Sequence, residues 1–180
     1  MSQFRLLREQ RFRPFFLTQF LGAFNDNLFK NALVVLLTFQ AASWTTIAPA
    51  LLANLAAGIF ILPFFLFSAT AGQLADKYDK SRLTRLVKVL EVAIMLVALA
   101  GFVLHSLAVL LGALFLLGCH STLFGPVKYA LLPQHLHEDE LVGGNALVEA
   151  GTFVAILLGT LAGGMLEAVE HGERWIAAAG

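Results

Sequence analysis

Five stretches of this chain, at about 15–39, 48–70, 86–104, 107–126 and 145–166, are each long and apolar enough to cross a bilayer as a helix. The fold they specify is all-α, a polytopic membrane helical bundle. Composition agrees: 58% of the 180 residues are hydrophobic, only 13% are charged, and mean hydropathy is +0.78. A globular domain of this size needs a polar coat that this composition does not supply, so lipid must cover much of the chain. The formal net charge is zero, and no concentrated basic patch lies outside the membrane-flanking segments, which argues against nucleic acid as a partner. Cys119 is the single cysteine and can form no internal disulfide; it reads as a small buried hydrophobe.

The first stretch carries Asn25, Asp26, Asn27, Lys30 and Asn31 in its middle. An Asp or Lys at the centre of a membrane helix costs roughly 2.5–3.5 kcal/mol, and each Leu, Ile, Phe or Val returns only about 0.3–0.6. The pair offsets the gain from about ten apolar residues. At 100° per residue Gln19, Gly22, Ala23, Asp26 and Lys30 share one stripe, with Asn27 and Asn31 on its shoulder. That stripe should face a protein interior or a water-filled path. Asp26 and Lys30 are four apart and could pair along the helix, while Asn25 points toward a neighbouring helix. The alternative is that these groups only hold helices together by hydrogen bonds.

Arg5, Arg8, Arg11 and Arg13 precede the first stretch, and Lys77, Lys80, Arg82, Arg85 and Lys88 lie between the second and third. The positive-inside rule therefore puts the N-terminus and the segment around Asp76 in the cytoplasm. The first stretch is too long for a cleaved signal core and is read as retained. Glu138, Asp139 and Glu140 dominate the next inner loop and carry little topological weight. From about residue 174 a short apolar segment reads as the opening of a sixth helix, so five spans and the start of another are expected.

Several segments narrow the class. Gly72-Gln73-Leu74-Ala75-Asp76-Lys77-Tyr78-Asp79-Lys80-Ser81-Arg82 resembles the Gly-x-Leu-Ala-Asp-Arg-x-Gly-Arg-Arg loop signature of the major facilitator superfamily, with Asp79 and Ser81 departing from it. Ala23-Phe24-Asn25-Asp26-Asn27, Phe124-Gly125-Pro126-Val127-Lys128-Tyr129, the run from Leu141 to Ala150, and Ile156 to Gly164 together resemble the bacterial lysophospholipid transporter family within that superfamily. The resemblance covers most of the chain, in order. It implies a transporter of two six-helix halves, of which residues 1–180 supply the N-terminal one, with the substrate held near the midplane between halves. It further implies a bacterial inner-membrane location, lysophospholipids as substrates for alternating access, and a C-terminal half that completes the cavity. In some bacteria a similar domain is fused to an acyltransferase and an acyl-carrier-protein ligase, which makes those enzymes expected partners in re-acylation.

The expected substrate-contacting residues are Asp26, Asn27, Lys30, Lys128 and Glu149, and the expected gating loop comprises Gly72, Asp76, Lys77 and Arg82. Gly72 would let two backbones approach, Asp76 would sit near a helix N-terminus or a cation, and the loop cations would meet anionic head groups. Gly125-Pro126 should bend the fourth helix and present Lys128 at its end, for phosphate or for the interface. Glu149 reads as a partner for Lys128 or Lys30, or as a titratable switch. Gly159 and Gly163 should seat the fifth helix tightly on a neighbour, and Glu91 with Lys88 reads as an interfacial pair.

Enzyme chemistry finds little footing. Glu140, not Asp, lies five residues after His135, His120-Ser121 lacks a third partner, and no Walker-type loop is present, so neither catalytic residues nor a cofactor are assigned. His135, His137, Glu138 and Asp139 read as a solvated loop rather than a metal site. Two alternatives to a lysophospholipid transporter stay open: an exporter of drugs or other small amphiphiles, and a membrane anchor for a fused acyltransferase.

Overall fold

The computed structural model describes residues 3–167. The expected opening of a sixth helix lies outside the described residues. Five long helices form the bundle: α1 (Arg13–Phe39), α2 (Pro49–Lys77), α3 (Lys80–Val103), α4 (Leu107–His135) and α5 (Leu141–Glu167). Short 3-10 turns at Gln3–Arg8, Ala41–Ser43 and Glu138–Glu140 lead into or join them. Helices suit this composition because each satisfies its own backbone groups in a medium without water.

α2, α3, α4 and the segment from Glu138 to Leu166 are each long and apolar enough to cross a membrane. α1 has the length, 27 residues, and its partner places it at the same depth. It runs alongside α5: Phe16 meets Gly151, Gln19 accepts from Thr152, Asn31 donates to Thr160, and Leu28 and Ala32 meet Gly163. The two helices rise together over four turns. This is a multi-pass membrane bundle. Its outward rows, including Leu51, Leu55 and Phe65 on α2, Leu86, Val89 and Leu96 on α3, and Phe153 and Leu157 on α5, are exposed apolar side chains that a water-soluble surface would not carry in such density.

α5 seats on α1 through glycine. A Cβ at Gly163 would fall on the Leu28 carbonyl and 3.0 Å from the Ala32 nitrogen, and one at Gly159 would fall on the Phe24 carbonyl and 3.1 Å from Asn27 Cβ. Both glycines let backbones meet, as expected. Gly118 does the same for α4 against Phe60 and Pro63 of α2. α4 also packs extensively on α3, whereas α1 touches α4 only lightly. A single apolar core, with Phe29, Leu33, Leu52, Ala98, Phe102, Leu110 and Leu114, fills the outer half. Phe12, Leu131, Leu132, Val148 and their neighbours fill the inner end.

Every helix after the first extends well past its apolar stretch at the end of the bundle that carries Arg11, Lys77 and His135. α4 continues through Pro126 and Pro133 to His135, because Val127, Leu131 and Leu132 bury in the inner cluster and tertiary packing outweighs the proline penalty. Lys128 therefore projects from within a helix, not from its end. α2 continues through Gly72 to Lys77 and α3 begins at Lys80, which leaves only Tyr78 and Asp79 between them. The expected gating loop is thus mostly helix. A Cβ at Gly72 would meet nothing within 4 Å, so no backbone approaches it among the described residues. Asp79, not Asp76, caps α3, accepting from the Arg82 N–H at 2.8 Å, while the Asp76 carbonyl accepts from Lys80 Nζ at 3.2 Å.

At the opposite end the hairpin at His105-Ser106 turns tightly. His105 takes the left-handed φ of 49°, a conformation costly for a residue with a Cβ, and its ring lies 4.8 Å from that of Trp44. The Ser106 side chain then accepts from the Val109 N–H to start α4.

At the end of the bundle away from that hairpin, Arg11 acts as a clasp. Its guanidinium reaches Glu9 at 2.7 Å, Glu140 at 2.7 Å and the His135 carbonyl at 3.1 Å, tying the N-terminal segment to the α4–α5 connection. The Arg11 hydrogen bond, helped by the His137 N–H, holds the Glu140 carboxyl below the usual carboxylate range. A carboxylate whose folded value is depressed stabilises the fold above its unfolded value and loses that contribution as pH falls through the folded one. Limited proteolysis of the α4–α5 connection is expected to quicken on acidification below the ordinary Glu range, and Glu140→Gln to quicken it already at neutral pH with a flatter acid response. Equal cleavage in both proteins at all pH values would remove the clasp.

Candidate functional site

A cleft of about 420 Å³ opens between the helices at mid-depth. α1 contributes Gln19, Gly22, Ala23, Asp26 and Asn27, and α4 contributes His120, Ser121, Phe124, Gly125, Lys128 and Tyr129. Phe60 and Phe64 of α2, Lys88 of α3, and Thr152 and Ile156 of α5 complete the wall. The polar stripe of α1 thus faces a lined cleft and not the bundle exterior. One side of the lining is charged and hydroxylated, and the other is aromatic and aliphatic, a division that suits an amphiphile.

Asp26 is at the centre. Ser121 donates its hydroxyl hydrogen bond to Asp26 Oδ2, while Asp26 Oδ1 is buried with no hydrogen-bond partner among the described residues. The expected pairing of Asp26 with Lys30 does not form. Lys30 Nζ instead donates to Asn27 Oδ1 at 2.8 Å and lies 5.1 Å from the centre of the Phe60 ring. Cation–π contact and an amide oxygen substitute there for the carboxylate. Lys30 consequently faces a second cleft of about 430 Å³, with Asn31, Asn54 and Ile61, and Phe60 lines both.

Glu91 lies three turns inside α3, not at an interface, because that helix starts at Lys80. It is 8% exposed, accepts from Asn25 Nδ2 at 3.2 Å and from Lys88 Nζ at 2.6 Å, and stands 3.3 Å from His120 Nε2. The expected reach of Asn25 to a neighbouring helix is realised in that contact. The Lys88 ammonium also lies 4.6 Å from the centre of the Phe124 ring. Lys88 and Glu91 are thus a pair, but one built into the interior.

Lys128 and Glu149 come together at 3.7 Å, with Tyr129 donating its hydroxyl hydrogen bond to the same carboxylate. Lys128 is mostly buried and Glu149 is half-exposed, and Lys128 Nζ lies 4.7 Å from the centre of the Tyr129 ring. Of the expected site residues the structure places Asp26, Asn27 and Lys128 on one cleft, Glu149 just behind Lys128, and Lys30 on the adjoining cleft. Gly72, Asp76, Lys77 and Arg82 lie apart from all of these, at the α2–α3 elbow.

His120, Ser121 and Glu91 join the site without having been assigned to it. The signal available was the general one, an ionisable side chain at membrane depth, applied to the third and fourth stretches as it had been to the first. Thr152, bonded at 3.0 Å to Gln19 of the α1 stripe, carried no such signal.

Membrane-crossing helices folded around a charged, buried cleft define a multi-pass membrane protein with a polar interior. The chain belongs to the transmembrane secretion effector family (MFS_3), whose profile it matches over residues 1–178. It is similar to the lysophospholipid transporter LplT of Salmonella newport (strain SL254), at 35% identity over 149 residues, which make up 82% of this chain and 34% of that protein. The proteins of the same name from Salmonella heidelberg (strain SL476) and Salmonella agona (strain SL483) are 34% identical over the same shares. The chain spans about a third of the length of the curated relatives it matches. No solved structure matches the chain significantly.

Proposed function

We propose that the chain is the N-terminal half of a major facilitator transporter that moves lysophospholipids, lysophosphatidylethanolamine among them, across the bacterial inner membrane by alternating access, for re-acylation. The observation that carries this reading is the mixed lining of the cleft, where Asp26 and Lys128 share a cavity with Phe60, Phe64, Phe124 and Ile156. An ethanolamine ammonium fits the Asp26 carboxylate on the cleft wall, a phosphate fits Lys128 beside Tyr129, and the single acyl chain fits the aromatic wall. Asn27 and Lys30 stand at the boundary with the second cleft, positioned to receive the head group at another stage. Glu149 holds Lys128 in place between substrates.

In this scheme the C-terminal half closes the open side of the cleft, and Gly72, Asp76, Lys77 and Arg82 at the cytoplasmic elbow latch against it as the halves rock. The N-terminal arginines face the cytoplasm and its anionic lipids. An acyltransferase with an acyl-carrier-protein ligase, fused or separate, receives the product. The similarity to proteins named lysophospholipid transporters supports the substrate class.

Uptake of labelled lysophosphatidylethanolamine by the full-length protein tests the reading. Asp26→Asn and Lys128→Ala are each expected to reduce uptake by at least about tenfold, the loss of one charge-assisted contact. Unimpaired uptake in both variants removes the site, and failure of the lipid to compete against unrelated small amphiphiles favours an exporter of those instead.

A further inference from the structure

The imidazole of His120 lies between two carboxylates carried by two other helices. Nδ1 is 4.0 Å from Asp26 Oδ1 on α1, and Nε2 is 3.3 Å from Glu91 Oε2 on α3. His120 is 1% exposed, and neither ring nitrogen has a hydrogen-bond partner among the described residues. A neutral imidazole presents one N–H and one lone pair. Facing carboxylate oxygens on both sides, it sets one lone pair against another whichever tautomer it adopts. Only with an added proton do both nitrogens become donors and both sides complementary.

The surrounding groups fit a proton rather than a metal. Among the described residues no set of three or more His, Cys, Asp or Glu side chains is gathered so that it could hold a metal ion. Both carboxylates are already oriented, Asp26 by Ser121 and Glu91 by Asn25 and Lys88. From α1 the cluster also feels Lys30, which is turned to Asn27. From α4 itself comes Lys128, which is held by Glu149 of α5. α2 presents no ionisable side chain between Pro49 and Ala75. Asp26 and Glu91 with Lys88 leave this inner cluster one positive charge short, and low-dielectric surroundings make such an imbalance costly.

We propose that Asp26, His120 and Glu91 form a proton-binding site, and that its proton leaves to the cleft when a cationic head group takes its place beside Asp26. The N–H bond of the His120 imidazolium breaks, an O–H bond forms on a cleft water that carries the proton away, and the ammonium supplies the missing charge. The binding half of this statement stands on the cluster alone; the exchange half rests on the transport reading above.

Two measurements on the full-length protein separate them. Infrared difference spectra between about pH 5 and about pH 8 are expected to show linked imidazole and carboxylate bands that vanish in His120→Gln. Identical spectra for parent and variant overturn the proton site, whatever the substrate. Lysophosphatidylethanolamine binding by the parent is expected to weaken as pH falls, by up to about tenfold per pH unit, the limit for competition with one proton. His120→Gln is expected to flatten that dependence, read as the ratio of its affinities at the two ends of the pH range. Parallel pH profiles overturn the exchange. Absence of any lysophosphatidylethanolamine binding by the parent rejects the transport reading and the exchange with it, while leaving the infrared result to decide the proton site.

Discussion

Gly163→Ala is expected to destabilise the bundle, and Gly164→Ala, one residue further on, to leave it unchanged or slightly more stable. The added methyl group is the same; its neighbourhood is not. At Gly163 the Cβ falls on the backbone of α1 at Leu28 and Ala32, where no side chain can swing aside, whereas at Gly164 nothing lies within 4 Å. Overpacking of that kind costs roughly 1–3 kcal/mol. At Gly164 the only change is the higher helix propensity of alanine, worth up to about 1 kcal/mol in the favourable direction. Adding Gly159→Ala to Gly163→Ala should force α1 and α5 apart along two successive turns and produce the larger loss. Thermal unfolding in detergent reads these differences, and equal stability of the Gly163 and Gly164 variants would show that α5 does not seat where the structure puts it.

Glu91→Ala is expected to cost on the order of 3 kcal/mol, because it strips the acceptor from the Lys88 ammonium and from Asn25 at once and removes the carboxylate 3.3 Å from His120 Nε2. A partly buried cation left without its carboxylate is the expensive outcome. Removing both charges, as in Glu91→Leu with Lys88→Met, should recover most of the stability, since apolar replacement of a buried pair is often neutral or better. Folding of the double variant without transport would assign the pair to function. A double variant as unstable as the single one would instead show that Glu91 matters chiefly through Asn25 and His120. Denaturation of the three proteins under one condition distinguishes these cases.

Long apolar stretches made the helical bundle plain, and the 100° spacing of Gln19, Ala23 and Asp26 correctly turned the polar stripe of α1 toward a cleft. Helix ends were less legible. Apolarity marks where lipid stops, but a helix ends where its packing stops, so α4 ran through Pro126 and α3 began six residues before its apolar stretch. That offset is what turned Glu91 from an interfacial residue into a buried one. The Asp26–Lys30 pairing failed for a different reason: spacing four apart permits a contact along one helix but says nothing of Ser121 and Phe60, which arrive from α4 and α2 and compete for the two side chains. The Lys128–Glu149 contact was legible only as one of the alternatives open to Glu149, and it is the packing, which turns Lys30 to Asn27, that decides between the two lysines.

The unequal packing within the bundle has a mechanical consequence. α5 grips α1 through backbone contact, and α4 grips α2 and α3, but between the two groups run fewer apolar contacts and a row of polar ties at Asp26, Asn25 and His120. Such ties are short-ranged and can be exchanged one at a time for water, whereas interlocked glycine faces must part all at once. The softest motion of this bundle is therefore a swing of one helix pair against the other three, with the cleft as its hinge line, and amide exchange should begin along that line before it reaches the glycine seam.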